Sequence, residues 1–127
     1  MKAGHTGFTR LFHSFRYSCK GLKAGWKNEA AFRLELILAI LLTPVGIWMA
    51  RSLTDALLLI ASALLVMTVE LLNSAIEAVV DRISPEHHPL SGRAKDMASA
   101  AVFLSALVAG AVWGGLLLVK LGVLSGV

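Results

Sequence analysis

A chain of 127 residues that is 57% apolar, with mean hydropathy +0.74, is too short for two ordinary domains and too apolar for one soluble domain. Seven of its twelve Lys and Arg residues (Lys2, Arg10, Arg16, Lys20, Lys23, Lys27 and Arg33) precede residue 34. In so apolar a chain that basic segment points to an anionic membrane surface rather than to nucleic acid, and the single cysteine, Cys19, excludes an intramolecular disulfide.

No short basic stretch followed at once by an apolar run and a small-residue cleavage site opens the sequence, so no signal peptide is expected. Phe8, Leu11, Phe12, Phe15, Cys19, Leu22 and Trp26 recur at helical spacing and form one apolar stripe, with Arg16, Lys20, Lys23 and Lys27 beside it. That pattern predicts a surface helix over about 6–28, lying in the headgroup plane. The first apolar run, about 34–50, is short and carries Pro44, which predicts a kink or break. A second, about 53–80, starts apolar and ends polar; a third, about 97–119, carries no charge, and its Gly110 and Gly114 allow close helix approach. Each is near the ~20 residues needed to cross a bilayer. The expected architecture is all-α, one membrane-embedded domain with a surface helix and three spans. Pro85 to Pro89 is the clearest loop. The basic N-terminal segment and Arg82, Arg93 and Lys95 should lie on the cytoplasmic side, leaving the 51–55 connection and the C-terminus outside.

The chemistry is expected at the polar end of the second span. Glu70, Asn73, Ser74, Glu77 and Asp81 are spaced 3, 1, 3 and 4 apart, which gathers them on one helical face, with Leu72, Ile76 and Val79 opposite. Ionisable groups in a membrane helix are costly and face a protein interior or wet cavity, so the stripe is a functional candidate. From Leu53 to Glu70 a helix rises roughly 25 Å, which sets Glu70 near the headgroups and Glu77 nearer the cytosol. A carboxylate at the first depth can meet a lipid hydroxyl; one at the second can help hold a hydrated metal with nucleotide phosphates. The plainer alternative is a polar seam fixing helix register in an oligomer. Ser91 and Gly92 are expected to open the third span's helix and offer backbone N–H groups to an anion, with Arg93 and Lys95 beside them. His87 and His88 are neighbours and cannot share a helical face, so loop or nucleotide contacts are expected of them rather than joint metal ligation. No GxxxxGK[ST], GxGxxG, HRD or DFG occurs, so phosphoryl transfer needs another scaffold.

N-E-A-A-F-R at 28–33, V-E-L-L-N-S-A-I-E-A-V-V-D-R at 69–82 and L-S-G-R-A-K-D-M-A-S-A-A-V at 90–102, with T-G-F-T-R at 6–10, resemble the prokaryotic integral-membrane diacylglycerol kinases. The match runs in order from about residue 6 to 115. Leu34, where a glutamine is common, and His87-His88-Pro89, in place of an aromatic-His-acidic sequence, depart from the pattern. The resemblance implies a homotrimer of three-span subunits in the bacterial inner membrane, with a periplasmic C-terminus and composite active sites. It implies transfer of the γ-phosphoryl of ATP, with Mg2+, to diacylglycerol, giving phosphatidic acid. It implies that Glu70 is the general base, that Glu29 and Glu77 bind the metal, that Lys95 offsets charge on the transferring phosphoryl, and that Asn73 supports the metal or phosphate geometry. Nucleotide contacts are implied at Arg10, Tyr17, Glu29, Glu77, Glu86, His87, His88, Lys95 and Asp96. The lipid is expected against Arg10, Ser14, Lys23, Trp26, Ala31, Glu35, Trp48, Glu70, Ser99 and Trp113. The nearest rivals are an undecaprenol kinase of the same fold and a non-enzymatic membrane oligomer.

Overall fold

The computed structural model describes residues 7–126 and is all-helical: α1 (Gly7–Asn28), α2 (Ala30–Met49), α3 (Leu53–Ile83) and α4 (Pro89–Lys120). Lys2, residue 6 of the expected surface helix and Thr6 of the quoted motif lie outside the described residues. Helices α2, α3 and α4 are each long and apolar enough to cross a membrane. α3 packs most extensively on α4 and next on α2, while α1 packs chiefly on α2 and touches α3 at Leu71.

The helices extend beyond the apolar runs. α2 begins four residues before Leu34, and its first turn is fastened by Arg33, whose Nη1 donates to the carbonyls of Trp26 (2.9 Å) and Lys27 (3.1 Å). Those carbonyls sit at the end of α1, where a helix leaves acceptors without intrahelical partners and favours a cation. The junction of α1 and α2 is close-packed at Gly25: a Cβ there would lie 2.7 Å from Leu71 and 3.2 Å from Phe32. Pro44 neither breaks nor ends α2, which runs on to Met49.

The core of one chain is small. Phe32, Met49, Leu59 and Ala98 are its buried apolar residues, and only 11, 22 and 6% of the three apolar windows are buried. The remaining apolar surface needs surroundings that are themselves apolar. Hydroxyls on these helices bond to their own backbone, as membrane burial demands: Ser62 to Leu59, Ser105 to Val102, Thr43 to Ala39 and Thr68 to Leu64.

The turn between α2 and α3 is three residues long and fully engaged. Ser52 caps α3 by accepting from the Asp55 amide at 3.2 Å. Asp55, buried at 6% exposure, accepts from the Arg51 amide (3.0 Å) and Nε (2.9 Å), and Arg51 Nη1 donates to the Gly126 carbonyl at 2.8 Å. Lys120, at the end of α4, sets its ammonium 5.1 Å from the centre of the Trp48 ring. The α3–α4 loop is longer, and His88 closes it by capping α4: its Nδ1 accepts from the Leu90 amide at 3.1 Å. The start of α4 at Pro89 corrects the expectation for Gly92. Its amide donates to the His88 carbonyl at 3.0 Å and belongs to the helix ladder, so it is not free for an anion.

Candidate active site

Helix α3 carries the acidic stripe from inside the bundle to its edge. Glu70 is buried at 7% exposure, Asn73 and Ser74 are half-buried, and Glu77 and Asp81 are exposed. The 3.6-residue period puts these groups on one side of α3; the neighbouring helices then give each a different partner.

Glu70 is met by Glu35 from the second turn of α2, carboxyl against carboxyl. The Glu35 Oε2 atom is buried without a hydrogen-bond donor, an acceptor that a hydroxyl-bearing ligand would satisfy. Glu35 also stands at one end of an apolar crevice of about 260 Å³ that runs between α2, α3 and α4 past Leu42, Val66 and Met67 to Trp113. A second cavity of about 310 Å³ continues it, sharing Ala39, Ala63, Met67 and Trp113, towards Gly46 and Ala50. Trp113 divides this path. Its indole Nε1 donates to the Leu59 carbonyl at 3.3 Å, and its ring lies so close to Gly46 that a Cβ there would be 3.1 Å away.

Beyond Glu70, Asn73 donates from Nδ2 to Glu77 Oε1 at 3.0 Å. Both Glu77 and Glu29 lie within electrostatic range of Glu70. Glu29 occupies the break between α1 and α2, in extended backbone, and its side chain makes no capping bond. It lines a cavity of about 640 Å³ with Ser18, Asn28, Leu71 and Ser74. Among the described residues no three His, Cys, Asp or Glu side chains form a metal site by themselves. Two carboxylates and no soft donor suit magnesium, which commonly takes one or two protein carboxylates and completes its shell with phosphate oxygens and water.

A third, more polar cavity of about 300 Å³ lies at the loop, walled by Asp81, Ser84, Glu86, His87, His88, Ser91, Gly92 and Lys95. Lys95 Nζ is 2.6 Å from Asp81 Oδ1 across its wall. Four expected nucleotide residues therefore share one cavity. Asp96, next along α4, and Ser99 are exposed.

The other expected residues are dispersed. Arg10, Tyr17, Lys23 and Trp26 are exposed on α1, with Lys20 Nζ 5.7 Å from the Tyr17 ring centre, and Ser14 is half-buried there. Arg10 lies roughly 22 Å along α1 from the Gly25 junction, and neither it nor Tyr17 lines the loop cavity. Ala31 is exposed in the first turn of α2, and Trp48 lies roughly 20 Å along that helix from Glu35. One chain thus gathers Glu35, Glu70, Asn73 and Glu77 and, separately, Glu86, His87, His88 and Lys95. The contacts of Glu35 with Glu70 and of Asp81 with Lys95 were invisible to spacing, which reads one helix at a time.

Residues 16–117 match the family model described as prokaryotic diacylglycerol kinase. The chain is 53% identical over 112 residues to the diacylglycerol kinase of Haemophilus influenzae, an alignment covering 88% of this chain and 95% of that protein. It is 55% identical over 108 residues to the diacylglycerol kinase of Escherichia coli K12, covering 85% and 88%, respectively. With the diacylglycerol kinase of Pseudomonas aeruginosa the identity is 47% over 115 residues, covering 91% and 94%.

Proposed function

The chain belongs to the prokaryotic diacylglycerol kinase family, and from that premise we propose that it transfers the γ-phosphoryl group of ATP to the primary hydroxyl of diacylglycerol, giving phosphatidic acid. The observation that carries this reading is the buried carboxylate Glu70, met by Glu35 at the head of an apolar crevice, with a polar cavity farther along the same helix. The crevice suits an acyl chain and the polar cavity a nucleotide, and the stripe between them spans both phases.

In this reading Glu70 takes the proton of the lipid hydroxyl as the hydroxyl oxygen attacks the γ-phosphorus, and Glu35, set carboxyl against carboxyl, holds that base at the head of the crevice. A new O–P bond forms, the bond from the γ-phosphorus to the β–γ bridging oxygen breaks, and ADP leaves with that bond's electrons. Little covalent work falls to the protein; positioning and charge stabilisation dominate such a transfer. Lys95 offsets charge on the phosphates, and Asn73 fixes the orientation of Glu77. Glu29 and Glu77 would hold Mg2+, which when bound would neutralise phosphate charge. Glu86, His87, His88 and Asp96 contact the nucleotide from the loop and the start of α4.

Arg10 and Tyr17, remote from the loop cavity of their own chain, complete a neighbouring subunit's nucleotide site in a homotrimer. Composite sites also account for the small core, because adjoining copies cover apolar faces that one chain leaves open. The three spans and α1 form one membrane domain in a bacterial inner membrane. There α1 lies on the cytoplasmic surface, its basic residues towards anionic headgroups and Phe8, Leu11, Phe12 and Phe15 towards the acyl region; the C-terminus is periplasmic. Ser14, Lys23, Trp26 and Ala31 meet the lipid near its headgroup, Ser99 from α4, and Trp48 and Trp113 along its chain.

The experiment is a reconstituted assay with γ-labelled ATP and either diacylglycerol or undecaprenol. Label is expected in phosphatidic acid, and only with Mg2+ present. Label on undecaprenol alone would overturn the substrate, and no lipid-dependent turnover would leave the non-enzymatic oligomer.

A further inference from the structure

Asp81 is the carboxylate of the acidic stripe to which the reaction above gives no task. It is one helical turn beyond Glu77, and its side chain is 64% exposed. Its contact with Lys95 is, among the described residues, the single ion pair that joins two helices. The pair also stands in the wall of the cavity that holds Glu86, His87 and His88. The ammonium expected to meet nucleotide phosphate is therefore already held, at 2.6 Å, by a carboxylate at the cavity's edge.

We infer that Asp81 is a positioning residue that competes with the nucleotide for Lys95: it holds the ammonium while the site is empty, yields it to the phosphates on binding and takes it back as the product departs. This rests on the reading that Lys95 meets the nucleotide. The chemistry favours exchange over a permanent bond. An exposed ion pair is weak, and the Lys95 side chain is itself 40% exposed, so neither partner is locked by packing. Lysine carries three donors on a flexible four-carbon stem and can swing between acceptors without moving its helix. A polyphosphate offers more charge and more acceptor oxygens than one carboxylate. When the ammonium leaves, Asp81 is rehydrated at little cost because it already faces water. While the site is empty, the pair keeps a mobile cation at the cavity wall, so it is near when phosphate arrives.

A competitor, unlike a simple staple between α3 and α4, weakens nucleotide binding. The test is titration of the full-length protein in lipid nanodiscs with Mg-ADP. Asp81→Asn is expected to tighten binding by about two- to fivefold, the scale of an exposed ion pair, and Asp81→Glu to restore ordinary affinity. Asp81→Ser repeats the first arm should the amide fold poorly. In a Lys95→Ala background the gain from Asp81→Asn should vanish. Unchanged or weaker binding in both Asp81→Asn and Asp81→Ser overturns the inference in favour of a staple. The same gain with and without Lys95 overturns it in favour of plain repulsion between carboxylate and phosphate. Failure of the underlying reading looks different: Lys95→Ala alone would leave Mg-ADP affinity unchanged.

Discussion

The two ends of the bundle treat their polar groups in opposite ways. At the Arg51 end, Ser52, Asp55, Arg51 and the Gly126 carbonyl satisfy one another around a three-residue turn, and Lys120 covers Trp48. At the Glu70 end, carboxylates meet carboxylates, Glu35 Oε2 lacks a donor, and Glu29 caps nothing. The first arrangement holds three helices together at the expense of any ligand. The second leaves the helices less well satisfied and gives a ligand something to complete. A buried polar group is costly when unpaired, so Glu35 Oε2 marks where binding energy is to be gained.

Substitutions can break that contrast, beginning at the reactive end. Glu70→Gln, nearly isosteric, should lower lipid phosphorylation by about 10²–10⁴-fold, the usual contribution of a general base. Circular dichroism and the size of the detergent complex should not change. Turnover within tenfold of the natural protein would remove Glu70 from its assigned task. Asn73→Ala deletes the donor to Glu77 Oε1 and should raise the Mg2+ concentration for half-maximal activity by about tenfold, as is typical when a ligand's supporting bond is lost. A Mg2+ titration at saturating ATP decides it; no shift would mean that Glu77 needs no such support. Nearer the Arg51 end the signature should reverse. Gly46→Ala sets a Cβ 3.1 Å from the Trp113 ring, which its bond to the Leu59 carbonyl holds in place, and should cost about 1–3 kcal/mol of stability, as overpacking does, with the Mg2+ requirement unaltered. Denaturation in mixed micelles measures the first and the same titration the second; an altered Mg2+ requirement would erase the distinction between the ends.

Much of this molecule was legible one helix at a time. The apolar runs predicted three spans because a bilayer imposes a minimum length, and the 3, 1, 3, 4 spacing collected Glu70, Asn73, Ser74, Glu77 and Asp81 because α3 has a fixed period. Contacts between helices were not legible. Glu35 and Glu70 are 35 residues apart, and their meeting depends on how α2 packs against α3. Arg51 and Asp55, in a connection expected only to lie outside, form a turn lock because Ser52 caps α3 between them. His88 read as a nucleotide contact, and spacing gave no sign that its ring Nδ1 also caps α4. Gly92 read as a helix opener, yet the helix had begun three residues earlier at Pro89. Of the kink or break expected at Pro44, the break does not occur, since α2 continues through it, as membrane helices tolerate where neighbouring groups satisfy the freed carbonyl.

Cys19, the chain's single cysteine, is a free thiol exposed on α1, one side chain among those expected to meet the bilayer. The protein therefore carries its own attachment point for a nitroxide or a fluorophore, with no engineered substitution required. Collision quenching by a lipid-soluble and a water-soluble reagent would report the depth of α1 directly, and distances between labels on separate chains would count the subunits and give their spacing.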